Sequence, residues 1–169
     1  MPEHGHEYAG RVRWFVLAAV VIVADQLAKW AVLQHFPAGP RSEPLAPFFN
    51  LVLVFNKGAA FSLLSQAPGW QTPLLTAFAL VAAAVVSFLI LKNSKQRVLC
   101  VALAAILGGA LGNVIDRLRF GAVVDFLDFH ALGWHFPAFN VADSAISVGA
   151  ALLILDGLFH HGGRASTAP

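Results

Sequence analysis

The sequence predicts a mainly α membrane protein: four transmembrane helices with a small extracytoplasmic β-hairpin or sheet element at the outer membrane surface. Three observations carry this expectation. Of 169 residues, 58% are hydrophobic and 12% charged, about half the charge density of an ordinary soluble domain, and the mean hydropathy is +0.71. Four apolar stretches, 14–36, 74–91, 98–115 and 139–159, approach or exceed the ~20 residues that a helix needs to cross the hydrocarbon core. Between the first two lies a proline-punctuated segment with a run of β-branched and aromatic residues. One membrane domain over 12–161 accounts for the chain, with flexible tails at 1–11 and 162–169.

The first stretch, 14–36, is interrupted by Asp25 and Lys29. Its leading run has the length of a signal-peptide core, but Asp25, Gln26 and Lys29 stand where a small-residue cleavage site belongs. In 37–73, prolines at 37, 40, 44, 47, 68 and 73 exclude a long helix. FFNLVLVFN (48–56) reads as a strand, and NKGAAFSLL supplies a turn at Lys57–Gly58 and a return strand, giving a β element over about 43–67. Trp70 suits a membrane interface. The second stretch, 74–91, carries no charge, and the third, 98–115, has one strongly polar residue, Asn113. The fourth has Asp143 near its start and Asp156 near its end.

An even number of spans puts both termini on one side. That side holds six basic residues against four on the other, so the positive-inside rule favours cytoplasmic termini. Asp143 and the loop 116–138 then lie at the outer face. A formal charge of +2 without any Lys/Arg run argues against nucleic acid as a partner. Cys100 is the single cysteine, so no intramolecular disulfide forms, and no Cys/His cluster has metal-ligand spacing.

Carboxylates near lipid are costly and need a reason. Asp143 fits a first-turn acid that complements the helix dipole, with Asn140 or Ser144 beside it. It fits a functional acid equally well. Asp125, in the apolar stretch VVDFLDF (123–129), reads either as an interfacial turn residue or as an acid placed for chemistry. The short loop 126–142 allows the two to come face to face. Two carboxyl groups in one site share a proton, so one can activate water while the other hydrogen-bonds a scissile carbonyl. Spacing alone does not select Asp125 over Asp116, which reads as ion-paired with the adjacent Arg117, or over Asp128, which reads as solvated.

Five blocks in order, DQLAKW (25–30), NKGAAFS (56–62), GGALGNVIDR (108–117), VVDF (123–126) and FNVADSAISVG (139–149), resemble the lipoprotein signal peptidase family, also called signal peptidase II. The resemblance runs from the first span to the last. It implies an aspartic endopeptidase of the bacterial inner membrane, with its active site near the periplasmic face. Such an enzyme removes the signal peptide of diacylglyceryl-modified prolipoproteins, cutting before the lipidated cysteine. The family's catalytic pair falls on Asp125 and Asp143, its substrate-binding residues on Asn56, Gly58, Asn113, Arg117 and Asn140, and supporting positions on Asp25, Asp116 and Ala142. Lys57 is given no role. The implied partners are the prolipoprotein, membrane lipids and globomycin-like cyclic peptides that wedge between the acids. No metal, cofactor or nucleic acid is implied, and a monomer is expected.

The residues fit that reading. Asn113 and Arg117 are i, i+4 on one helix face, although an arginine there also suits snorkelling to headgroups. Gly108, Gly109 and Gly112 make a small-residue face for close helix packing. Asp25 and Lys29 form an i, i+4 pair. The hairpin 43–67 is expected to act as a lid. The competing class is a small proton- or ion-coupled transporter, which favours acids spread through the bilayer depth. Asp25 and Asp156 lean that way; Asp116, Asp125, Asp128 and Asp143 do not.

Overall fold

The computed structural model describes residues 3–58 and 69–162. The return strand expected after Gly58, the far end of the 43–67 element and the tail from 163 lie outside the described residues. The elements in chain order are α1 (Glu3–His35), β1 (Ser42–Ala46), β2 (Phe49–Asn56), α2 (Gln71–Lys92), α3 (Arg97–Phe120), β3 (Val123–Ala131), β4 (Trp134–His135) and α4 (Val141–Gly162). Among the described residues, four helices are long and apolar enough to span a membrane: α1 from Arg11, α2, α3, and α4 to Phe159. α1 begins at Glu3, within the segment expected to be a tail. α3 runs on to Phe120, where Gly121 (φ 69°) ends it in the left-handed conformation.

α3 is the centre of the bundle. Over half of its span (56%) is buried, against 22% for α1 and 11% for α2 and for α4. Small residues permit this. A Cβ on Gly108 would lie 2.6 Å from the Ala18 carbonyl of α1, and one on Gly149 of α4 would lie 2.6 Å from the Ala102 carbonyl of α3. A Cβ on Gly109 would strike the Ala142 carbonyl at the start of α4. The expected glycine face therefore makes contact with two helices at once. Large apolar side chains such as Val81, Val85 and Phe88 of α2 point away from the protein, as lipid-facing residues do.

One apolar cluster joins α1, α2 and α3 around Trp14, Ile90, Cys100 and Leu107. There the Trp14 indole donates to the Ser94 carbonyl at 3.0 Å, satisfying the one polar atom of the ring. A second cluster, of Val32, Phe36, Leu53, Val124 and Phe126, fastens the end of α1 to the sheet.

The sheet is antiparallel in the order β1-β2-β3-β4. VVDFLDF is thus a strand, paired with a segment some seventy residues earlier. Asn50 stands opposite Asp128, and Val54 opposite Asp125. Between Leu51 and Val54 β2 advances three residues while β3 retreats two, a bulge. Side chains alternate faces along a strand, so this odd step moves Asn56 from the face shared by Asn50 and Asp128 to the face of Asp125. Bulges re-aim side chains in this way. The β3–β4 hairpin closes through Leu132 and Gly133, both at positive φ (52° and 81°), as a tight two-residue turn requires.

Candidate active site

Asp125 projects from β3 and Asp143 from the first turn of α4. Both line one cavity of about 730 Å³. Asn56, Gly58, Asn113 and Arg117 line it as well, and Phe78 and Ile146 are among the apolar residues that complete the wall. The structure thus brings together on one cavity six of the seven residues expected for catalysis and substrate binding. The seventh, Asn140, is fully buried behind them and contacts Asp125.

Three asparagine amides hold the acids. Asn56 accepts the Gly58 N–H on Oδ1 at 2.9 Å and donates from Nδ2 to Asp125 Oδ2 at 3.1 Å. Asn140 accepts the Asp143 N–H on Oδ1 at 2.9 Å, and its Nδ2 lies 2.7 Å from Asp125 Oδ1, with Asn113 Oδ1 and the Val124 carbonyl each at 3.2 Å. Asn113 accepts from Lys29 Nζ at 2.9 Å and donates to Asp143 Oδ1 at 2.8 Å. A side-chain amide accepts on one side and donates on the other. Each of these three has a donor seated on its oxygen, so each must turn its NH₂ towards an acid.

Asn140 is also the N-cap of α4: its oxygen takes the third N–H of the helix, and the Ser144 hydroxyl donates to its carbonyl at 2.9 Å. The capping role considered for Asp143 therefore belongs to Asn140, which leaves the Asp143 carboxylate to the cavity. Burial, with the Asp143 charge beside it, pushes Asp125 from an ordinary 3.8 up to about 7 despite the amide donors. Arg117 acts electrostatically on Asp143, Asp125 and Asp116.

A second tier lies beneath. Lys29 Nζ is 2.8 Å from Asp25 Oδ2 and 2.7 Å from Asp116 Oδ2, all three side chains being almost wholly buried. Asp25 Oδ1 accepts the Ala142 N–H at 2.9 Å, and Asp116 Oδ2 accepts the Val124 N–H at 3.0 Å. Gln26 Nε2 donates to Asp116 Oδ1 at 2.9 Å. Gly112 leaves room for this tier, since a Cβ there would lie 2.8 Å from Asp25 Oδ2.

Two expectations are corrected here. Asp116 pairs with Lys29 of α1 instead of the adjacent Arg117, because residues i and i+1 of a helix point to different sides. Asp128 is buried rather than solvated: Asn50 Nδ2 donates to it at 2.8 Å and His135 Nδ1 lies 2.9 Å away. Burial alone would raise it, but these bonds and the nearby histidines hold it below the usual carboxylate range. Asp25, one of the acids that leaned towards transport, joins the cluster through Ala142. The sequence reading missed Gln26 and the central place of Lys29. Their signal was the spacing: Lys29 follows Asp25 by four residues and Gln26 by three, which makes it a neighbour of both on the surface of α1.

The model of the family described as Signal peptidase (SPase) II matches residues 17–159. Over 145 residues the chain is 55% identical to the lipoprotein signal peptidase of Paraburkholderia phymatum, covering 86% of this chain and 87% of that protein. It is 57% identical to that of Paraburkholderia phytofirmans, covering 86% and 84%. A bacterial membrane enzyme solved by the in meso method at 2.3 Å resolution superposes with a TM-score of 0.79 at 28% identity, over 93% of this chain and 94% of that one. A second such structure, at 1.9 Å, gives 0.71, also at 28% identity, over 92% and 94%.

Proposed function

This chain belongs to the signal peptidase II family, and from that premise we propose that it cleaves the signal peptide from diacylglyceryl-modified prolipoproteins, with Asp125 and Asp143 as an aspartic dyad. The observation that carries this reading is one cavity lined by both acids, each held by an asparagine amide that has no other way to face.

Asp125, raised to about 7, carries the proton of the pair, hydrogen-bonds the scissile carbonyl oxygen and passes that proton to it as the tetrahedral intermediate forms. Asp143, ionised, takes a proton from water as the water oxygen bonds to the carbonyl carbon. The tetrahedral intermediate collapses when Asp143 returns that proton to the leaving nitrogen and the C–N bond breaks; Asp125 regains its own proton. Arg117 and Lys29 supply positive charge at the moment negative charge develops. The apolar wall at Phe78, Ile146 and Val148 accommodates the signal helix and acyl chains from the lipid side.

The basic-residue balance favours cytoplasmic termini, which supports a site at the periplasmic face of the inner membrane. A globomycin-like cyclic lipopeptide that wedges between the two acids should block cleavage. The test is conservative: Asp125→Asn and Asp143→Asn each abolish cleavage of a lipidated precursor while the protein still unfolds cooperatively in detergent. Near wild-type cleavage by either variant removes the dyad.

A further inference from the structure

We propose that Lys29 is the positioning residue of the two-acid site: one buried ammonium fixes, through three separate branches, where both acids stand. The inference rests on the dyad reading above and adds a residue that neither acid touches.

An ammonium has three protons, and Lys29 places each on a different acceptor: Asp25 Oδ2 at 2.8 Å, Asp116 Oδ2 at 2.7 Å and Asn113 Oδ1 at 2.9 Å. Each acceptor ends one step from the chemistry. Asp116 holds the backbone N–H of Val124, the residue before Asp125. Asp25 holds the backbone N–H of Ala142, the residue before Asp143. Asn113, its oxygen occupied by Lys29, turns its NH₂ to Asp143 Oδ1. The two acids come from β3 and α4, elements that meet at few points near the site. The lysine on α1 thus ties the backbone of both to a common origin, through charge-assisted bonds about twice as strong as neutral ones.

A stability role alone accounts poorly for this arrangement. Two carboxylates and one ammonium leave the buried group with a net negative charge, and buried ion pairs are often no more stabilising than apolar packing of the same volume. The geometry has a different use. Displacements of about 1 Å at reacting groups cost on the order of 10²-fold in rate, and the Lys29 group governs displacements of that kind. Other charges that act on the acids, Arg117 from α3 and Asp25 from α1, either belong to this group or stand beside it.

The test uses the full-length protein in detergent micelles with a lipidated precursor peptide. Two variants are read: Lys29→Met, and the neutral triple variant Lys29→Met/Asp25→Asn/Asp116→Asn, which removes the two carboxylates that the first leaves uncompensated. Thermal unfolding identifies which of them folds. In the folded variant kcat falls by about 10²-fold while KM stays within about threefold of wild type, the pattern of a lost transition-state geometry. A folded variant with wild-type kcat overturns the proposal. So does loss of fold in both, which assigns Lys29 to folding alone. Asp125→Asn and Asp143→Asn run in parallel keep the two questions apart: if they are inactive and a folded Lys29 variant is not, only the lysine inference fails, whereas active dyad variants remove the premise.

Discussion

α2 and α3 are both uncharged over their apolar middles, yet they do opposite jobs. α2 has the higher mean hydropathy (2.7 against 2.3) and buries little of its surface; most of its side chains face outward, where any apolar residue of similar size serves. α3 is enclosed by α1, α2 and α4, and its residues have particular neighbours: Gly108 against α1, Gly109 against α4, Gly112 against Asp25, Asn113 between Lys29 and Asp143, Asp116 between Lys29 and β3. Hydropathy tells a helix that it belongs in the membrane. Contact with polar groups tells it where to stand.

That contrast can be broken most severely at Asn140, which caps α4 and contacts Asp125. Asn140→Ala removes a donor from the dyad, with an expected loss of about 10²–10³-fold in kcat, comparable to the loss of one pre-organised donor elsewhere, measured on the lipidated precursor. Gly109→Ala comes next. Its Cβ meets a backbone carbonyl at the start of α4, which cannot rotate away, so the helices must separate at a cost of about 1–3 kcal/mol. Lowered thermal stability in detergent is the readout. Val81→Leu on the lipid face of α2 should stay within about 0.5 kcal/mol by the same assay.

A pH series sharpens the same comparison at Asp125. Its folded-state value is raised, so from about pH 4 to about 7 the folded protein keeps a proton that the unfolded chain has lost. The unfolded state binds fewer protons there, and stability declines as pH rises through that window. Asp125→Asn lacks this decline. The midpoint of the variant therefore gains on that of the wild type between about pH 4 and 7, whereas parallel curves would show that Asp125 does not titrate there.

Much of the bundle was legible in the sequence because lipid imposes length and apolarity, which composition reports directly. The spans 74–91 and 98–115 fell within their helices, those at 14–36 and 139–159 overran theirs by one and two residues at one end, and the strand at 48–56 was recognised from its β-branched and aromatic run. The five sequence blocks also named the acids and amides that line or back the cavity. What stayed hidden depended on pairing across the chain. Nothing local shows that β2 takes β3 as its neighbour, or that one extra residue between Leu51 and Val54 turns Asn56 towards Asp125. The partner of Asp116 was misread for the same reason: Arg117 is adjacent in sequence, while Lys29 is adjacent in space. Asp128 looked solvated because its ties to Asn50 and His135 exist only once the sheet forms.

The most direct measurement of a dyad sharing one proton is the pH dependence of kcat/KM for wild-type cleavage of a lipidated precursor. With Asp125 at about 7, activity should hold on the acidic side of neutrality and then fall about tenfold per pH unit above it, as the singly protonated pair loses its proton. A profile that stays flat well into the alkaline range would contradict it.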